Sequence, residues 1–141
     1  MRSKKIKVEN TELIDLRSYH DSRGHLSVAE IGKELPFIVK RVFFIHNIKK
    51  NSERANHATK IQNEFIFCLK GSFQVEVNDG KNKSVLKLSG PMRGLYIGRG
   101  VWRRLFNFSP GCIILALSDT KYSAKDHINV YDEFLKYKKI K

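Results

Sequence analysis

Along most of this chain apolar residues recur at every second position, in short runs separated by Gly, Pro, Asn and Asp. A period of two sends successive side chains to opposite faces of a strand. In FIFCLK (65–70) it puts Phe65, Phe67 and Leu69 on one face, and Gly71 then supplies the permissive backbone of a hairpin. SFQVEV and SVLKL flank Asn78-Asp79-Gly80, and an Asp-Gly pair between alternating segments is the strongest hairpin signal in the chain. Gly90-Pro91 ends that run, and RGLYIG, VWRRLFNF and CIILALS follow as further short strands. Upstream, residues 1–10 read as a polar lead-in and 12–17 as an edge strand. The turn residues of DSRG lead to 25–31, with Leu26 and Val28 on one face. The longest β-branched and aromatic run, 37–48, predicts a central strand pair or one long bent strand. Only the tail is helical in pattern, with Val130, Phe134 and Tyr137 at helical spacing. Regular short strands with turns between them predict an all-β sandwich or barrel. With no internal repeat and no linker, 1–141 is expected to be one domain.

At 141 residues and 16.4 kDa the chain supports one core, and 41% hydrophobic content is that of a globular protein. No apolar run reaches the ~20 residues of a membrane span, and no apolar segment with a small-residue cleavage site follows the basic N-terminus. Cytoplasm is therefore expected. Cys68 and Cys112 sit in apolar runs without ligand neighbours, which predicts buried thiols. The net charge of +13 raises the question of nucleic acid. No helix-turn-helix, zinc-finger or RNA-binding pattern accompanies the lysines, which crowd the two ends (Lys4, Lys5 and Lys7; Lys136, Lys138, Lys139 and Lys141) and loops, so an anionic small ligand is the better match.

Candidate chemistry concentrates in RANHATKIQNEFIFCLKG (54–71). Alternation puts His57 and Thr59 on the same face, where polar groups beside a barrel core line an interior. The spacing H-x-T-x4-E-x6-G resembles the first motif of the cupins, with Thr59 in place of the second histidine. The resemblance implies a cupin-type jelly-roll barrel, here with a short C-terminal helix. Metal cupins use two histidines and a glutamate from that motif and one more histidine from a second motif. Here a hydroxyl stands at one of those positions and Leu105 at the other, with Arg103 and Arg104 beside it. Hydroxyls are poor ligands and guanidiniums repel a cation, so no metal and no cofactor are expected. Arginines with one histidine suit a phosphate-bearing organic ligand.

DSRGHLSVAE, PFIVKRVFFI, RANHATK, GSFQVEVNDG, GLYIGRGVW and YDEFLKY, in this order, resemble the dTDP-4-keto-6-deoxyglucose 3,4-ketoisomerases of bacterial surface-sugar synthesis. That family carries R-G-x-H-A-H-K at its active site. The matching residues are Arg54, Ala55, Asn56, His57, Ala58, Thr59 and Lys60, so the first histidine is kept and the second is not. Phe44 stands where the family has a tyrosine, and Arg103 where it has His or Arg. The implied reaction moves a ketone from C4 to C3 through an enediolate, which needs a base near neutral pKa. His57 is the candidate base, with Thr59 and Lys60 as its catalytic neighbours. Arg54, Lys60 and Arg103 are each suited to steady the enediolate or to hold the diphosphate, and Arg23 and Arg41 are further phosphate candidates. His20, His25 and His127 read as surface residues. His46 reads the same way, although it is the residue placed to stand in for the lost histidine. The resemblance also implies a homodimer with exchanged N-terminal strands, which would bring Arg23 to the partner's pocket.

Overall fold

The computed structural model describes residues 3–140; Met1 and Arg2 of the lead-in and Lys141 lie outside the described residues. The strands are Ser3–Lys5 (β1), Thr11–Asp15 (β2), Arg17–Asp21 (β3), Gly24–Val28 (β4), Arg41–Ile45 (β5), Arg54–Thr59 (β6) and Glu64–Lys70 (β7). Ser72–Asn78 (β8), Lys83–Ser89 (β9), Arg93–Ile97 (β10), Trp102–Phe106 (β11), Ile113–Ser118 (β12) and His127–Ile128 (β13) complete them, and the helix is Tyr131–Ile140 (α1). A six-stranded sheet in the order β1-β2-β10-β7-β12-β5 faces a five-stranded sheet in the order β13-β6-β11-β8-β9. This is the all-β architecture that the alternation predicts and the jelly roll that the resemblance implies, with the two sheets not closed into a continuous barrel.

The core lies between the sheets and follows from the alternation. Ile66 and Cys68 of β7 meet Val75 and Val77 of β8, Leu105 of β11 and Ile114 and Ala116 of β12, all buried. Each valine, leucine or isoleucine among them contributes roughly 1.5–3 kcal/mol by leaving water. Two smaller clusters cover the outer faces. Residues 29–39 fold over the six-stranded sheet, where Leu35 packs with Phe65, Phe67 and Leu117. On the other side α1 lays Phe134 against Trp102, Ala58 and Ile128.

Several expectations change at this level. Phe65 and Phe67 are buried, but under residues 29–39 on the outer face, and Leu69 is exposed. Strand β7 is apolar on both faces because both are covered, so its pattern does not say which is inside. Gly71 does take a positive φ of 81°, but the chain there crosses from one sheet to the other: β7 and β8 do not pair. The Asp-Gly hairpin is as expected. Strands β8 and β9 pair throughout, and Asp79 Oδ1 accepts from the Lys81 and Asn82 amides at 2.8 and 2.7 Å. The long run 37–48 yields one strand, β5, at the end of its sheet and not at the centre. Phe37 and Val39 leave its line to pack on the outer cluster, which is why the apolar run outlasts the strand. The lead-in is more than polar padding: β1 pairs with β2 and Val8 is fully buried. Val130 is exposed ahead of α1, where Phe134 carries the packing. Cys68 and Cys112 are buried and free, with Sγ atoms 3.7 Å apart, and burial pushes the Cys112 thiol up to about 12.

Candidate active site

His57 reaches the space between the sheets because β6 is irregular. Opposite β11, Arg103 pairs with His57 and Arg104 with Ala55, so Asn56 is the extra residue of a β-bulge. Ala55 and Asn56 both take positive φ, 72° and 54°, a conformation that costs a residue with a Cβ. Bulges re-aim side chains, and here Ala55 and His57 both line a cavity of about 320 Å³. Its walls come from both sheets: Arg41 and Phe43 of β5, Glu64 of β7, Arg103 of β11 and His127 of β13.

Burial pulls the His57 imidazole down to about 3, and the charges of Arg103 and His127 act in the same direction, against a backbone hydrogen bond at Ala55. At neutral pH this ring is uncharged and can accept a proton. A base works best near the operating pH, and the part of the shift that comes from positive charge responds to a ligand. An anion drawn in by the arginines would cancel part of the positive field and raise His57 towards that range.

Beneath His57 runs a buried polar chain. Arg41 Nη2 donates to Gln62 Oε1 at 2.7 Å, and Gln62 Nε2 to Glu64 Oε2 at 2.9 Å. Arg103 Nη1 donates to the same Glu64 oxygen at 3.1 Å, and Arg103 Nη2 to the Val101 carbonyl at 2.9 Å and Thr59 Oγ1 at 3.4 Å. Arg103 is 1% exposed. Burial pulls its pKa down, and the ion pair with Glu64 opposes that. Gln62 is fixed from behind by Asp126, whose carboxylate accepts the amides of Lys60, Ile61 and Gln62 at 2.9, 2.7 and 3.0 Å. Arg41 Nε and Nη1 and Arg103 Nε are buried without a protein partner. Unpartnered buried donors are costly, so these are the places where an acceptor from a ligand gains most.

The structure thus brings together His57, Arg41, Arg54 and Arg103 in one cavity. Thr59 is fully buried behind them, its hydroxyl donating to the Gln62 carbonyl at 2.9 Å. It therefore holds Arg103 and the 59–62 turn and does not face the cavity. Lys60 is exposed and borders a separate surface depression with Lys121 and Lys125, while its amide donates to the buried Asp126 carboxylate. Arg23 stands on the β3–β4 hairpin, exposed and paired with Asp21, away from this chain's cavity. His46 is exposed, but His127 is not the surface residue expected: its ring lies 4.5 Å from that of His57. Gln62, Glu64, Tyr122 and His127 are site residues that the sequence reading passed over or left without a role. Glu64 carried the one available signal, its place in the cupin-like spacing.

Among the described residues no group of three or more His, Cys, Asp or Glu converges to hold a metal ion. The donor set agrees: Glu64, the one carboxylate lining the cavity among the described residues, is already bound by Arg103 and Gln62. These residues do not fit the metal of the wider cupin fold.

Residues 9–139 match the family model FdtA, described as WxcM-like, C-terminal. The TDP-4-oxo-6-deoxy-α-D-glucose-3,4-oxoisomerase of Aneurinibacillus thermoaerophilus is 36% identical over 126 residues, 89% of this chain and 91% of that protein. Among solved structures, QdtA, a sugar 3,4-ketoisomerase from Thermoanaerobacterium thermosaccharolyticum in complex with TDP, superposes with a TM-score of 0.91 at 33% identity, over 94% of this chain and 97% of that one. The WlaRB TDP-quinovose 3,4-ketoisomerase of Campylobacter jejuni gives 0.88 at 40% identity, over 92% and 99%. By this match along nearly its whole length, the chain belongs to the FdtA family of WxcM-like proteins.

Proposed function

We propose that this protein is a dTDP-4-keto-6-deoxyhexose 3,4-ketoisomerase. The observation that carries the reading is a neutral histidine, His57, set in a cavity beside guanidinium N–H groups that have no protein partner. In the proposed reaction His57 takes the proton from C3, and the electron pair forms the C3–C4 double bond while the C4 carbonyl oxygen becomes an oxyanion. Loss of the O3 proton, gain of one at O4 and protonation of C4 then give the 3-keto sugar, with no net change in protons or electrons. Arg41 and Arg103 supply the preorganised positive field for the oxyanion or the diphosphate. Arg54, at the mouth strand β6, is the further phosphate contact. Thr59 supports Arg103, and Lys60 keeps a role only at the approach to the site. No metal takes part.

The substrate class rests on the relatives, whose 3,4-oxoisomerase and ketoisomerase activities and bound TDP match the polarity of this cavity. The same reading places the protein in the cytoplasm, as a single domain, supplying a 3-keto sugar for amination towards deoxyamino sugars of O-antigen or lipopolysaccharide. No helix among the described residues is long and apolar enough to cross a membrane. A homodimer is part of the proposal. What supports it is the β3–β4 hairpin, which stands as its own two-stranded sheet with Tyr19 and Leu26 exposed, and the free edge of β5, where Val42 and Phe44 are exposed. Exposed apolar edges of this kind are commonly closed by a second copy, and exchange would carry Arg23 to the partner's cavity.

The test is product identity. Purified protein incubated with dTDP-4-keto-6-deoxyglucose is expected to give the 3-keto isomer by NMR. Epimerised 4-keto sugar, or unchanged substrate, overturns the reading.

A further inference from the structure

Isomerisation moves two kinds of proton, one between carbons and one between oxygens. A single imidazole that has just taken the C3 proton is not free to collect the one on O3. Of the groups around the cavity, the guanidiniums of Arg41, Arg54 and Arg103 offer only N–H donors, and the Tyr122 phenol is a weaker proton acceptor than an imidazole. Glu64 is bound by Arg103 and Gln62. Two imidazoles line the cavity among the described residues, His57 and His127.

His127 is built in with care. The two-residue strand β13 pairs with β6, Ile128 opposite Ala58 and His127 opposite Thr59. Thr59 is the position where the family segment carries its second histidine. The chain therefore returns an imidazole beside His57 from the neighbouring strand. The rings are 4.5 Å apart between centroids, and the Tyr122 ring packs on His127 at 5.7 Å. His127 Nδ1 lies 2.9 Å from the Ser123 carbonyl oxygen. A carbonyl only accepts, so Nδ1 carries the hydrogen and Nε2 is left as the nitrogen that exchanges protons. Asp126, the preceding residue, is locked by three amides of the 60–62 turn, so the ring has little freedom to leave.

We propose that His127 is the second proton-transfer residue of this site, moving the hydroxyl proton from O3 to O4 while His57 works on carbon. The inference rests on the ketoisomerase reading. His127 Nε2 accepts the O3 proton as the C3 carbonyl forms, and the same proton is returned to O4. No oxidant or co-reactant is needed.

His127→Asn keeps a side-chain N–H in place to meet the Ser123 carbonyl but cannot carry a proton, and His127→Gln is the second variant. Both are compared with wild type in deuterated water, reading C3–H exchange in recovered substrate and appearance of the 3-keto product. Loss of a positioned acid-base group typically costs about 10² to 10⁴ in rate. Keto migration is expected to fall by at least about 10²-fold in both variants, while C3–H exchange by His57 persists. The ratio of exchange to migration therefore rises. Parallel loss of both signals, as from a merely structural role, or migration near the wild-type rate in either variant, overturns the proposal. Wild type showing neither signal overturns the isomerase reading itself, and this one with it.

Discussion

Arg103 lies directly across the β6–β11 ladder from His57, so a fully buried guanidinium and a neutral imidazole face the same cavity from adjacent strands. This pairing decides the character of the site. The cation helps to hold His57 unprotonated, repels a metal, and offers a preorganised charge to an anion.

The arginine is tolerated in the interior because Glu64 meets it. Removing one member of a buried pair strands the other charge, at a cost of about 3–5 kcal/mol. Glu64→Gln is expected to destabilise the fold by about 3 kcal/mol in urea unfolding and to lower nucleotide-sugar affinity as Arg103 shifts. A change under about 1 kcal/mol would show that Arg103 does not depend on this carboxylate.

The bulge that presents His57 holds Ala55 at a φ of 72°, where the family segment has glycine. Alanine in the left-handed region costs roughly 1–2 kcal/mol, part of which glycine gives back through the entropy of the unfolded chain. Ala55→Gly is expected to gain about 1 kcal/mol and raise the melting temperature by a few degrees, with turnover retained. A lower melting temperature would mean that the methyl group's packing outweighs the strain.

His57 also makes stability depend on pH. Its folded value of about 3 lies below the ordinary 6.5, so between these values the unfolded chain binds a proton that the folded chain does not. Stability from this group is complete above about pH 6.5 and is lost as pH falls towards 3. Melting curves of wild type should fall more steeply from pH 7 to 4 than those of His57→Asn. Identical slopes would place the histidine in water. Glu34 behaves in a related way: its hydrogen bonds from Arg17 hold it down to about 2, so its contribution is lost only as pH falls from about 4.5 through that value.

Much of this was legible in the sequence, for identifiable reasons. Asp79-Gly80 encodes its hairpin locally, and His57, Arg41, Arg54 and Arg103 carry their chemistry in residue type. The misses share one cause, which is that long-range contacts decide. Strand β13 is only His127–Ile128, too short for any period, and it exists because Ile128 packs with Phe134 and Asp126 binds the 60–62 turn. Thr59 and Lys60 lie within three residues of the catalytic candidate in sequence, yet Thr59 is buried with its hydroxyl on the Gln62 carbonyl and Lys60 is exposed. The face chosen by Phe65 depends on Gly94, whose missing Cβ leaves room for that ring: a Cβ there would sit 2.2 Å from Phe65 Cζ.

Chelation offers a separate check. With the cupin donor positions filled by Thr59 and Leu105 and Arg103 in the cavity, turnover is expected to survive exhaustive EDTA treatment. Loss of activity restored by Zn²⁺, Mn²⁺ or Fe²⁺ would contradict the site as described.

In the proposed reaction His57 takes the C3 proton of a 4-keto sugar and the ketone moves to C3. The most direct measurement follows wild type and His57→Asn by NMR in deuterated water with dTDP-4-keto-6-deoxyglucose, alongside calorimetric affinity for dTDP. Wild type should give 3-keto product deuterated at C4. The variant should lose about 10² to 10⁴ in both C3–H exchange and turnover, with dTDP affinity within a few-fold of wild type. A variant that exchanges and turns over like wild type would show that another group takes the proton and would contradict the account.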